Sequence, residues 1–246
     1  MLILLPPSES KNHHGRGRML NQQQLSFAEL RSAREQALAA LVATSTKPDA
    51  LQRLKAPAGA AAEVARNLDL GSLPAISAGL LYTGVLYDAL DLAAMPAAAL
   101  ARARRSIVVT SALFGAVRLS DRLPPYRMSI GADIGLGPLA RFWQPLLEPA
   151  LSAAAGRGLI VDCRSGSYLP MWRPARDMAE RWVQIRVPGA SHFAKHTRGL
   201  VARQLCLNGS RARSVPALAR ELEHGFAVEL HREGATRPWV LDVHAP

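Results

Sequence analysis

The sequence predicts a mixed α/β, or α+β, fold in a single compact domain. Three observations carry that expectation. β-branched runs such as "SIVVTSAL" and "GLIVDC" read as buried strands, because Val and Ile fit a packed pleated surface. Longer stretches between the strands repeat their apolar residues at helical spacing, and the two kinds alternate irregularly. No repeat, linker or break in composition divides the 246 residues, and that length buries a core without a staple.

The elements follow in order. "MLILL" is a buried strand, ended by Pro6 and Pro7, which cannot continue a ladder. The polar stretch from Ser8 to about residue 24 sets Lys11, Arg16 and Arg18 against the single acid Glu9, and it reads as a mobile loop. Ser26 with Glu29 makes a capping-box pattern, so a helix is expected from Ser26 to Val42. Helices are also expected over Pro48 to Lys55 and Ala58 to Asn67, with helical pieces broken near Gly84 between Pro74 and Leu90. "SIVVTSAL" is a strand, and a turn-rich link carrying Arg118, Arg122 and Arg127 comes after it. "GPLARFWQPLLEPALSAA" is a helix with Pro138 near its first turn, where a missing N–H costs nothing. "GLIVDC" and "WVQIRV" are further strands, with "RSGSY" the loop at the carboxyl end of the first. The basic helix "SHFAKHTRGLVARQL", the helix "VPALARELEH" and a hairpin of "FAVELHR" with "PWVLDVH" complete the chain.

Thirty Lys and Arg face nineteen Asp and Glu, a formal net charge of +11. Only Lys11, Lys47, Lys55 and Lys195 are lysines, and arginine suits bidentate phosphate contact and stacking on flat groups. Cys163 and Cys206 make no disulfide framework, and no C-x-x-C is present. No signal peptide or membrane-spanning apolar run is evident, so a cytoplasmic protein without membrane association is expected.

Read as a helix, Ser191 to Leu205 places Lys195, Arg198, Gly199 and Ala202 on one side, with Arg203 at its edge. Gly199 costs about 1 kcal/mol relative to Ala inside a helix. A phosphate backbone lying against Gly199 and Ala202, beside Lys195 and Arg198, would account for that cost; a solvated charged face is the plainer reading. "PPSESK" ends the first strand, where loops often hold ligands, and Ser8, Glu9, Ser10 and Lys11 offer hydroxyls, a carboxylate and an ammonium. Phosphate-loop glycines are missing there. Glu9, if buried near Lys195, could do acid–base work. His192 and His196 stand four residues apart without the glutamate of H-E-x-x-H, and no metal site or cofactor is expected. In "DCRSGS" Cys163 reads as a small buried side chain, with Ser165 and Tyr168 as hydrogen-bond donors at the mouth of a cleft. Tyr82, Tyr126 and Tyr168 lie beside polar loops, where they would stack on bases or pack with a wet hydroxyl.

The blocks "MLILLPPSESK", "LLYTGVLYDAL", "TSALFGAVRLSDRLPPYRMSIG", "LARFWQPLL" and "FAKHTRGLVARQL", in that order, resemble the bacterial YaaA family of peroxide-stress proteins. The resemblance covers nearly the whole chain and implies one YaaA-like domain over residues 1–246, with a curved mixed sheet wrapped by helices. It also implies a basic cleft that binds duplex or distorted DNA, a helix-hairpin-helix-like element centred on Gly115, and a cytoplasmic role in limiting oxidative damage. Ser10 replaces the family's usual glycine in "PPSESK", and Ser167 replaces its acidic residue before Tyr168.

The leading expectation is thus DNA binding without sequence specificity, through Lys11, Arg118, Arg127, Lys195, Arg198 and Arg203, with Lys11 closing from the mobile loop. Ser8, Tyr82, Thr83, Gly115, Ser165, Tyr168 and Gly199 are expected to line the cleft. The alternative is an enzyme acting on a nucleobase, nucleoside or nucleotide-like small molecule in the same cleft. Its acid–base candidates are Glu9, Lys195 and Tyr126. The sequence leaves the oligomeric state open.

Overall fold

A computed structural model describes residues 1–13, 17–173, 175–189, 191–232 and 234–244. At its centre β1 (Leu2–Leu5) lies between β3 (Ile107–Ser111) and β6 (Ile160–Asp162), parallel to both. β7 (Trp182–Arg186) and β9 (Trp239–His244) continue the parallel set beyond β6. Antiparallel strands close both edges: β4 (Gly115–Arg118) beside β3, and β8 (Ala227–Arg232) beside β9. The strand order is β4-β3-β1-β6-β7-β9-β8. β1, β3 and β6 are buried along their whole length, as their apolar runs require of strands covered on both faces. A separate antiparallel pair joins β2 (Ile76–Ser77) to β5 (Arg122–Leu123).

Helices cover the sheet. α1 is Arg31–Ser45, α2 Ala50–Arg53 and α3 Ala61–Arg66. The short α4 (Ala78–Leu81) and α5 (Val85–Leu90) are broken at Gly84, whose φ of 91° suits a residue without a Cβ. α6 (Ala97–Ser106), α7 (Leu139–Ala155), α8 (Ser191–Asn208) and α9 (Val215–Leu222) complete the set. Pro145 and Pro149 sit inside α7 but on its exposed side, where carbonyls freed by the missing N–H groups meet water.

Three local expectations are revised. The first long helix starts at Arg31, not Ser26, because Ser26 donates its backbone N–H and its hydroxyl to the Asp121 carboxylate instead of capping a helix. The link after "SIVVTSAL" holds strands β4 and β5, and α6 precedes it. The segment centred on Gly115 is the β3–β4 hairpin, not a helix-hairpin-helix element. Its turn N–H groups, at Leu113 and Phe114, are taken up by Ser111 Oγ. Gly115 has φ 72°, and a Cβ there would meet Trp143 at 2.7 Å, so it lies beneath the indole and lines no cleft. Trp143 Nε1 donates to Ala112 O at 2.7 Å, and the fully buried Arg34 donates to the carbonyls of Phe114 and Ala116. These bonds fix the hairpin turn and, with it, Ser111.

The stretch from residue 8 to residue 24 is tied down where the structure describes it. Lys11 bridges to Tyr82, Asn12 N–H donates to Leu81 O at 2.8 Å, and Met19 bridges to Pro74. Its residues 14–16, including Arg16, lie outside the described residues. Among the described residues no helix is long and apolar enough to cross a membrane.

Candidate functional site

The chain leaves β1 for β3 on one side and later returns to β6 on the other. Where strand order reverses in this way, loops at the carboxyl ends of neighbouring strands diverge and leave a crevice, the usual ligand position in open α/β sheets. The loop after β1 carries Ser8 to Lys11, β3 ends at Ser111, and the loop after β6 carries Cys163 to Tyr168.

Lys11 follows β1 at this end of the sheet. Its side chain is buried, and Nζ donates to Ser8 O at 2.8 Å and to Glu9 O at 3.3 Å. The ammonium stands 4.2 Å from the centre of the Tyr126 ring and 5.8 Å from that of Tyr82. Burial, reinforced by the positive Arg127 nearby, lowers its pKa from 10.5 to about 7. The amine therefore exchanges its proton near neutral pH.

A hydroxyl chain lies under Lys11. Ser111 Oγ is 2.7 Å from Tyr126 Oη, which is 3.0 Å from Tyr82 Oη. Because Ser111 Oγ already accepts two backbone N–H groups, its own proton goes to Tyr126. Burial raises the pKa of Tyr82, Tyr87, Tyr126 and Tyr168, so all four remain neutral O–H groups. Tyr87 stacks on Tyr82 with ring centres 5.4 Å apart and donates to Pro6 O at 2.8 Å. Tyr168 is buried on the β6 side, within electrostatic reach of Tyr126 and Glu9. Its loop is pinned by Arg164, which pairs with Asp162 at 2.7 Å and donates to the carbonyls of Tyr168 and Trp172. Ser165 and Ser167 face each other in that loop, 3.2 Å apart.

A family model described as peroxide stress protein YaaA matches residues 1–230. The chain belongs to the YaaA family. A UPF0246 protein of Streptomyces coelicolor is 43% identical over 256 aligned positions, covering 99% of this chain and 98% of that protein. A UPF0246 protein of Corynebacterium glutamicum is 36% identical, with 87% and 88% covered. An uncharacterized protein of Campylobacter jejuni is 32% identical, with 82% of each covered.

The structure distributes the residues expected at a YaaA polyanion groove among several places. Gly199 does face a close neighbour, but that neighbour is α5: a Cβ there would stand 2.2 Å from Leu86 O and 2.8 Å from Ala89 Cβ. Ala202 is fully buried in the same helix contact. Arg203 donates to Leu90 O and Asp91 O and pairs with the Asp91 carboxylate at 3.0 Å, closing the carboxyl end of α5 rather than a groove. Arg118 pairs in register with Val108, toward the amino end of β3, so it lies at the end of the sheet away from Ser111 and the crevice. Arg127 lies near Lys11, but it is bound to Glu9 at 2.8 Å and to Glu63 at 3.3 Å. Glu9 is 64% exposed and held in that pair, so it is not a buried acid–base group. Lys11 is buried and does not close from a mobile loop.

Lys195 and Arg198 do approach the crevice. Gly199 meets Leu86 and Arg203 meets Leu90, so α5 and α8 run in the same direction. One turn earlier, that register brings Lys195 level with the Thr83–Gly84 turn, and Thr83 N–H donates to Ser10 O. Lys195 is exposed, and no bonded partner is found for it among the described residues. Arg198 Nε donates to Ile185 O at 3.3 Å, and its charge reaches Cys163. Cys163 is no nucleophile, because burial pushes its thiol up to about 12.

His192 and His196 are both exposed on α8. Among the described residues, Glu229, His231 and Asp242 bring their donor atoms within 4.8 Å of one another on β8 and β9. Arg186 already holds both carboxylate oxygens of Asp242, which balances the charge a metal ion would seek. Sequence reasoning missed Ser111, Tyr87 and Glu63 as partners of the site. Of the three, Ser111 carried a usable signal, a hydroxyl at the carboxyl end of a buried strand.

Proposed function

We propose that the crevice is the catalytic site of an enzyme acting on a nucleobase, nucleoside or nucleotide-like small molecule, with Lys11 as its proton-transferring group. The observation that carries this reading is the Lys11 amine, buried against Tyr126. An acid or base works best when its pKa is near ambient pH, and that of Lys11 is about 7. The buried tyrosines keep their protons, so they do not compete for the proton that Lys11 transfers. Exposed Lys195 at the rim offers a positive charge to an anionic group. Peroxide stress, the role in the family's description, fits an enzyme that processes oxidised bases or nucleotides. The test is to incubate the protein with free nucleosides and with damaged-base DNA and to follow base release. Turnover that falls at least about 100-fold in Lys11→Met supports the reading; turnover equal in the variant and the parent sinks it.

A second reading, DNA binding without sequence specificity in a cytoplasmic protein, is favoured by the net charge of +11 and by Lys195 standing exposed beside Arg198. Duplex affinity should then fall steeply with added salt, and Lys195→Ala with Arg198→Ala should weaken it uniformly across sequences. A flat salt response excludes it.

A further inference from the structure

A second recess lies away from the crevice. It has a volume of about 1150 Å³ and is lined by the segment from Gly17 to Leu25, by Arg31 and Glu35 of α1, and by Ser120 to Arg122. The Asp121 carboxylate in this lining is held by neutral donors. One of its oxygens accepts from the Ser26 N–H and hydroxyl, the other from the Arg118 N–H. The Ser120–Arg122 turn follows β4, so the recess opens toward the amino end of β3, opposite to Lys11.

The lining is cationic and rich in amides. Arg18, Arg31 and Arg122 come from three separate segments, and Asn21 to Gln24 add four consecutive side-chain amides. Arg122 spends one N–H on Ala75 O, at 2.6 Å. Arg31 pairs with no carboxylate among the described residues, although Glu35 lies one helical turn away. Two atoms of the lining residues are buried without any hydrogen-bond partner: Arg31 Nε, a donor, and Gln22 Oε1, an acceptor. Neither atom has accessible surface, so a ligand in the open recess meets the other polar atoms of these two side chains. Met19, 60% exposed beside them, offers an apolar surface for a flat ring.

We propose that this recess binds a nucleoside phosphate, with Arg18 and Arg31 on the phosphate and the glutamine amides on the edge of the base. Guanidinium groups hold phosphate through two parallel bonds. A Gln side chain both donates to and accepts from an adenine edge. The volume exceeds that of most small-ligand pockets, so a whole nucleotide fits. The site is separate from the Lys11 crevice and does not depend on the function proposed for it.

Calorimetric titration of the full-length protein with adenosine 5′-monophosphate at low salt tests this. The expected result is a saturable site that is retained in Lys11→Met and is at least about 10-fold weaker for adenosine and for each of Arg18→Gln and Arg31→Gln, as loss of a charge-assisted bond implies. Arg18 is exposed, so its variant folds even if the Arg31 variant does not. Lys11→Met should leave the affinity unchanged. The proposal is overturned if no binding is seen, if adenosine binds as well as the monophosphate, if both arginine variants bind like the parent, or if Lys11→Met alone abolishes binding. It is equally overturned if a short single-stranded oligonucleotide binds through these arginines while the monophosphate does not.

Discussion

Gly199→Val will lower the melting temperature by about 6–12 °C, the shift expected for a loss of about 3 kcal/mol in a chain of this size. The new Cβ would stand 2.2 Å from a backbone oxygen of α5, which cannot rotate away as a side-chain tip would. α5 and α8 must therefore separate. The move also releases Arg203 from the end of α5 and shifts the Thr83–Gly84 turn beside Ser8. Thermal melts of parent and variant, with Leu200→Val on the half-buried side of α8 as control, read the effect. A variant that melts within about 2 °C of the parent would show that the helices do not touch at Gly199.

Lys11→Met will change how stability depends on pH. In the folded protein Lys11 loses its proton near pH 7, whereas in the unfolded chain it keeps it up to about 10.5. Between those values the unfolded state binds more protons, so the Lys11 contribution makes the parent more stable as pH rises. Below about 7 both states are protonated and the cost of burying the charge is paid in full. The parent-minus-variant difference in unfolding free energy should therefore climb by about 1.4 kcal/mol per pH unit from about pH 7.5 to 9.5. The buried tyrosines oppose this near pH 10, because their unfolded forms ionise there while the folded ones do not. Urea unfolding across that range measures the slope, and the tyrosine contribution cancels in the difference.

The strands of the parallel sheet were legible because strands covered on both faces must be apolar throughout, as "LILL" and "IVVTS" are. Most helices were legible from their spacing. α6 was not anticipated, and β4 was read as part of a link, because "GAVR" carries no alternation and its pairing with β3 is a tertiary fact. The small-residue face of α8 was visible, but not its neighbour: Gly199 signals a close approach, and sequence alone cannot say whether a phosphate or another helix makes it. Likewise an arginine in the sequence does not disclose whether carboxylates already hold it, as Glu9 and Glu63 hold Arg127. Lys11 was visible as a loop lysine after the first strand. Its burial against Tyr82 and Tyr126 depends on residues about 70 to 115 positions away, beyond the reach of any local pattern.

The most direct measurement is the pH dependence of Lys11 acylation, read peptide by peptide in mass spectra, with Lys47, Lys55 and Lys195 reporting reagent loss. Only the neutral amine reacts, so the midpoint of reactivity is the pKa. A Lys11 midpoint near 7 is the expected result. A midpoint at the ordinary lysine value of 10.5 would contradict the account, since an amine charged throughout the neutral range cannot accept a proton from substrate there.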